Sequence, residues 1–173
     1  MAEIILQNIA HSYNPQATDK TYALNPFNMT WVDGARYAIL GPSGCGKSTM
    51  LNIMSGIVTP SEGKLFFNGS DVTAVSTSER NIAQVFQFPV IYGTMSVEQN
   101  LAFPLVCRKY AKDVIEEKVR EVANALDLVP LLKKSASKLT ADQKQLISLG
   151  RGLVRDDVSA ILMDEPLTVI DPD

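Results

Sequence analysis

Residues 41–49 read Gly-Pro-Ser-Gly-Cys-Gly-Lys-Ser-Thr, the spacing G-x-x-x-x-G-K-[ST] of a phosphate-binding loop. Gly41, Gly44 and Gly46 let the backbone curl so tightly that successive N–H groups point inward, as a phosphate cradle requires. The whole run, Gly41, Pro42, Ser43, Gly44, Cys45, Gly46, Lys47, Ser48 and Thr49, would wrap nucleotide phosphates. Lys47 adds a point positive charge for the β- and γ-phosphates, and the Ser48 hydroxyl suits Mg²⁺. The helix leaving the loop aims its positive end at the same anion. The flanks agree with this reading. Ala35-Arg36-Tyr37-Ala38-Ile39-Leu40 predicts a short buried strand entering the loop, and residues 48–56 predict a helix closed by Gly56.

The rest of the chain extends this α/β plan. Residues 3–13 predict an opening strand, and residues 14–19 a polar loop around Pro15. Residues 28–32 predict a second strand, with Asp33-Gly34 as a hairpin turn into the strand before the loop. Residues 64–67 followed by Asn68-Gly69, and residues 81–86 ending at Gln87, predict two more strands. Residues 97–106 begin as a helix that Pro104 should break. Residues 113–126 predict an amphipathic helix with Ile115, Val119, Val122 and Leu126 on one face and Asp113 as its cap. A further helix is expected over residues 141–154. Residues 158–163 predict a fully buried parallel strand ending at Asp164-Glu165-Pro166. Strands on both sides of a helical stretch predict an α/β core with a mixed sheet, an antiparallel β subdomain and a small α-helical subdomain. The boundaries fall at about 1–87 and 156–173 for the core and 88–155 for the helical part.

Carboxylates at the end of such a strand face the ligand crevice of a parallel sheet. Asp164 would hold Mg²⁺ opposite Ser48, and Glu165 would take the proton of an attacking water. Alone, the acidic pair reads equally well as a solvated turn; a phosphate loop in the same chain favours the catalytic reading. Other chemistries fall away. His11 is the only histidine, and Cys45 and Cys107 are the only cysteines, so no Cys/His metal cluster or disulfide framework is expected. A net charge of −3 argues against broad nucleic-acid binding. Residues 1–5 lack a basic region followed by an apolar core, which predicts no signal peptide. No uncharged apolar stretch is long enough to span a bilayer as a helix.

Taken in order, these motifs resemble the ATP-binding subunits of ABC transporters over essentially the whole chain. Residues 41–49 match the family's Walker A loop, Val85-Phe86-Gln87 its Q-loop strand, and residues 161–166 its Walker B strand and catalytic glutamate. The resemblance implies Lys47, Gln87 and Glu165 as catalytic residues, and ATP with Mg²⁺ as cofactors. It implies Ser48, Gln87 and Asp164 as the Mg²⁺ set. It places Tyr13 where an aromatic stacks on adenine, although a strand-end tyrosine is the plainer reading. Residues 68–73 and 79–83 look like the carbohydrate and polyol importer branch, with glycerol among the candidate solutes. The resemblance also implies partners: a second ATP-binding subunit, integral membrane permease subunits and, indirectly, a solute-binding protein. It implies no nucleic-acid partner and a peripheral place on the cytoplasmic face of the membrane. The aromatics Phe88 and Tyr92 fall where the family meets its membrane subunit.

Two departures stand out. The family's signature Leu-Ser-Gly-Gly-Gln appears here as Leu139-Thr140-Ala141-Asp142-Gln143. Asp142 either turns to serve its own helix N-terminus or opposes the phosphate bound by the facing subunit. Leu167–Pro172 resembles the family's D-loop, and its switch histidine and last core strands are not among the residues up to Asp173. The resemblance therefore implies an incomplete C-terminal part, with nucleotide binding retained and hydrolysis weak or absent. A soluble ABC-type ATPase outside transport and a non-hydrolysing nucleotide-binding regulator are the alternative functions.

Overall fold

The computed structural model describes residues 2–14, 16 and 21–170, and these form two compact units. One unit comprises residues 1–82 and 157–162, and the other residues 83–156 and 163–173. The expected loop at Pro15 and residues 17–19, and Asp171-Pro172 of the D-loop, lie outside the described residues.

The first unit is built on a four-stranded antiparallel sheet of order β2-β1-β3-β4: Leu24–Trp31, Ile4–His11, Glu62–Phe67 and Ser70–Asp71. β1 is the central strand because its apolar residues fall on alternate positions. Ile4 and Leu6 are buried, and the register shifts past Asn8 so that Ile9 and Ala10 are buried too. Such a bulge keeps an apolar run facing one core. Asn68 and Gly69, both at positive φ, make the tight turn from β3 to β4. α1 (Lys47–Ser55) lays Met50, Leu51, Ile53 and Met54 into the core beside Ile4, Leu6, Leu65 and Leu162. Gly56 closes α1 in the left-handed conformation, as expected from sequence. Arg80 seals the same end, its guanidinium donating to the carbonyls of Ile53, Met54, Thr73 and Val75.

The second unit is helical around its own core. α2 (Val97–Cys107), α3 (Lys112–Ala125) and α4 (Ala141–Leu153) contribute Leu101, Leu105, Val119, Ala123 and Ile147, joined by Leu128 and Ala136 from the connecting 3₁₀ turns. Gly150 lets α4 approach its neighbours closely, since a Cβ there would meet Leu101 Cδ2 at 2.6 Å. β5 (Ile82–Val85) and β6 (Ala160–Met163) are the two strands through which the division between units runs. Within the first unit Ser159 N–H donates to the Asn81 carbonyl, and within the second Asp164 N–H donates to the Val85 carbonyl. Both chains advance together between those bonds, so the strands run parallel.

Five sequence expectations are corrected. Residues 35–40 form no strand: Leu40 is 90% exposed and Tyr37 50%, while Ile39 packs against the first core and the Tyr37 ring stacks on Trp31. An apolar run becomes a strand only with a neighbour to pair with, and none pairs with it among the described residues. The Asp33-Gly34 turn does form, but its second arm is not a strand, so no hairpin results. Pro104 does not break its helix. α2 runs through it to Cys107, because Leu101 and Leu105 on either side are fully buried and hold the segment in place. Asp113 is not a cap; α3 begins one residue earlier with Ala111 at the N-cap, and Asp113 sits in the first turn. Finally, β6 is not fully buried, for Leu162 is inside while Met163 is 40% exposed.

Candidate functional site

The phosphate loop lies in the first unit. Gly44 and Gly46 both adopt positive φ, 79° and 94°, which an L side chain resists. Gly46 has a second reason to be glycine, because a Cβ there would meet the Ala23 carbonyl at 2.7 Å. α1 then starts at Lys47 with no acidic residue in its first turn. Its opening N–H groups and dipole therefore face the loop without a competing negative charge. The Lys47 ammonium folds back across the loop, donating to the Gly41 carbonyl at 2.9 Å and the Pro42 carbonyl at 3.0 Å. A phosphate would offer that ammonium stronger, charge-assisted acceptors than these carbonyls. Ser48 is exposed beside it.

Tyr13 belongs to the same unit and is 64% exposed. Its hydroxyl lies 3.2 Å from the Thr49 hydroxyl, and its ring packs edge-on against His11 with centroids 4.6 Å apart. Tyr13 is thus tied to the first turn of α1.

The acidic residues and the glutamine lie in the second unit. Asp164 follows β6, and Glu165 takes a positive φ of 44°. That conformation is costly for a residue before proline, and it is stabilised by local bonds. The Thr168 hydroxyl donates to the Glu165 carbonyl at 3.0 Å, and the Gln87 side-chain amide donates to the Glu165 carboxylate at 3.1 Å. Gln87 and Glu165, far apart in sequence, therefore meet directly. Thr168 escaped sequence reading, since a threonine two residues past Pro166 looks like any turn residue.

The signature stretch opens α4 in the same unit. Leu139 is buried, Thr140 is the N-cap, and Ala141, Asp142 and Gln143 form the first turn. The Gln143 side chain accepts from the Thr140 N–H at 3.3 Å. The Thr140 hydroxyl, and then the Gln143 N–H, bond the Asp142 carboxylate and hold its pKa below the ordinary value. The carboxylate thus bonds the N-terminal turn of its own helix.

The donor types suit magnesium. This ion takes one or two carboxylates and fills its remaining positions with water and phosphate oxygens. Among the described residues no group of three or more His, Cys, Asp or Glu could form an all-protein cage.

Tyr92 and Phe88 also lie in the second unit. Phe88 is 70% exposed. The Tyr92 ring packs 4.5 Å from Phe103 and lies under the Arg151 guanidinium at 4.6 Å. Arg151 in turn donates to the Val90 carbonyl at 2.6 Å.

The profile of the ABC transporter family matches residues 24–168. The trehalose import ATP-binding protein SugC of Mycobacterium tuberculosis is 42% identical over 171 residues, covering 99% of this chain and 42% of that protein. The sn-glycerol-3-phosphate import ATP-binding protein UgpC of Escherichia coli K12 is 39% identical, covering 99% of this chain and 47% of that one. This chain thus spans less than half the length of these curated relatives. Among solved structures, the dimeric post-hydrolysis state of the ATP-binding cassette MJ0796 bound to ADP and Pi superposes with a TM-score of 0.84 at 26% identity. That match covers 97% of this chain and 76% of the cassette chain.

Proposed function

The chain belongs to the ABC transporter family, and from that premise we propose that it is the ATP-binding and hydrolysing motor of a solute importer. The observation that carries the reading is the Lys47 ammonium poised on the Gly41 and Pro42 carbonyls at an acid-free helix start. In this reading residues 41–49 bind the phosphates of ATP, and the Tyr13 ring stacks on adenine. Ser48, Gln87 and Asp164 hold Mg²⁺, which supplies positive charge to the phosphate oxygens. Glu165 accepts the proton of the water that attacks the terminal phosphorus. Gln87 and Thr168 hold Glu165 for that step, and Lys47 stabilises the charge gathering on the phosphate.

The names of the relatives support a carbohydrate or polyol solute, glycerol or its phosphate among them. A dimeric cassette among the structural neighbours supports a second ATP-binding subunit facing this one. Residues 139–143 would then close on the nucleotide of that subunit. Permease subunits would dock at Phe88 and Tyr92, and a solute-binding protein would act through them. No helix among the described residues is long and apolar enough to cross a membrane. The import ATP-binding names of the relatives support a peripheral place on the cytoplasmic face, beside a permease. The division into a core over about 1–87 and 156–173 and a helical subdomain over 88–155 is part of the same proposal.

The test measures Mg·ATP binding and phosphate release by the purified protein, with Lys47→Ala and Glu165→Gln beside it. Lys47→Ala should weaken binding at least about tenfold, the scale of one lost charge-assisted bond. Glu165→Gln should keep ATP bound and abolish turnover. Turnover that survives in Glu165→Gln would remove that residue from the mechanism. A wild-type protein that binds but never hydrolyses would leave a nucleotide-binding regulator.

A further inference from the structure

Gln145 is fully buried on α4, an unusual place for an amide side chain. Its Nε2 donates to two carbonyls at once, that of Phe86 at 3.0 Å and that of Pro166 at 2.9 Å. Phe86 is the residue before Gln87, and Pro166 is the residue after Glu165. Gln145 therefore grips the backbone on both sides of the one contact that joins these two residues, the Gln87–Glu165 hydrogen bond of 3.1 Å.

The other end of the amide makes a second point. Gln145 Oε1 is buried without a hydrogen-bond partner. An unsatisfied buried acceptor costs free energy, so the residue is a poor choice for folding alone. The two Nε2 bonds are what it contributes. Gln145 also sits on the third residue after Asp142, within the same helix whose first turn carries the signature stretch. A displacement of α4 would be passed to both carbonyls through one rigid amide group.

We infer that Gln145 is a positioning residue for hydrolysis: it holds the Gln87 and Glu165 segments in register with each other and with α4. The inference rests on the proposed hydrolysis. Neither carbonyl is a reacting atom, so Gln145 acts only through the residues it holds. Its loss should therefore lower turnover and leave nucleotide binding nearly unchanged. A misplacement of about 1 Å in a catalytic group costs up to about a hundredfold in rate.

The experiment compares Gln145→Leu with Ile147→Val in the intact protein, together with any subunits that copurify. Leucine keeps the volume and removes both donors, whereas Ile147→Val removes one methyl group from the same helix at a fully buried site. Gln145→Leu should lower kcat tenfold to a hundredfold with KM for ATP within about twofold. Ile147→Val should lose stability and keep kcat within about twofold. Hydrogen exchange reads the clamp without turnover: in Gln145→Leu, residues 86–88 and 164–168 should both exchange faster. A Gln145→Leu protein with wild-type kcat, or one whose two segments exchange as in wild type, overturns the assignment. A rate loss no larger than that of Ile147→Val at equal loss of stability also overturns it. If the wild-type protein shows no turnover, the hydrolysis reading fails and the catalytic part of this inference fails with it. The exchange data then report separately whether the clamp exists.

Discussion

Single atoms decide whether the phosphate loop can form. Gly46 carries two independent constraints, a φ of 94° and a carbonyl where a Cβ would sit. Gly46→Ala should therefore cost more than the ordinary glycine-to-alanine effect in a left-handed position, about 1 kcal/mol. We expect urea unfolding to show a loss of at least about 2 kcal/mol, with weakened ATP binding by calorimetry. Full stability in Gly46→Ala would mean that the loop takes another backbone conformation. Two carboxylates bear on the acid limb of stability. Thr73 holds Asp71 below its ordinary pKa by its hydroxyl and then its N–H, and Thr140 does the same for Asp142 by its hydroxyl. A depressed folded-state pKa contributes stability above the unfolded value near 3.8, and that contribution disappears as pH falls through the folded value. The double variant Asp71→Asn, Asp142→Asn should thus show a shallower loss of thermal midpoint between pH 5 and pH 3 than wild type. Equal slopes would remove these two groups from the acid limb. The loop residues were legible in sequence because their chemistry and their spacing are local. Gln145 and Thr168 were not, because their roles lie in hydrogen bonds to residues remote from them in the chain or to backbone that only folding brings near.

Elements obey the same division between local and non-local causes. α1 and α4 were legible to within a residue, and for α1 the closing Gly56 is a local signal. Residues 35–40 were misread because apolar composition is local but strand pairing is not. Pro104 was misread because burial of Leu101 and Leu105 outweighs one lost helical hydrogen bond. The contest between local propensity and packing can be measured at Gly150. Propensity alone says Gly150→Ala should stabilise α4 by about 1 kcal/mol. Packing says otherwise, because the new Cβ would meet Leu101 at 2.6 Å and Val122 and Leu126 at 3.2 Å each. Overpacking of this kind costs about 1–3 kcal/mol, so a net destabilisation of about 1 kcal/mol is expected in urea unfolding. A more stable variant would show that the leucine side chains yield without strain.

For the whole molecule, the open matter is whether one nucleotide engages both units. The phosphate loop and Tyr13 belong to one unit, and Gln87, Asp164 and Glu165 to the other. In the proposed reading each set is incomplete alone: the first would cradle phosphate without a base, while the second would supply a base without an anion cradle. The proposed hydrolysis requires them to share ATP, and hydrogen exchange tests that sharing directly. At a nucleotide concentration of about one hundred times Kd, binding to the folded state adds about 2.7 kcal/mol against opening, or about a hundredfold in exchange rate. With Mg·ATP, exchange should slow at residues 41–55 and, in the other unit, at 86–88 and 164–168. Lys47→Ala should reduce both effects together. The Lys47 ammonium bonds within its own loop. A simultaneous loss would therefore mean that the nucleotide itself carries the coupling. Slowing confined to 41–55 would mean that this chain binds ATP with one unit only, and that Glu165 serves no nucleotide held by its own chain.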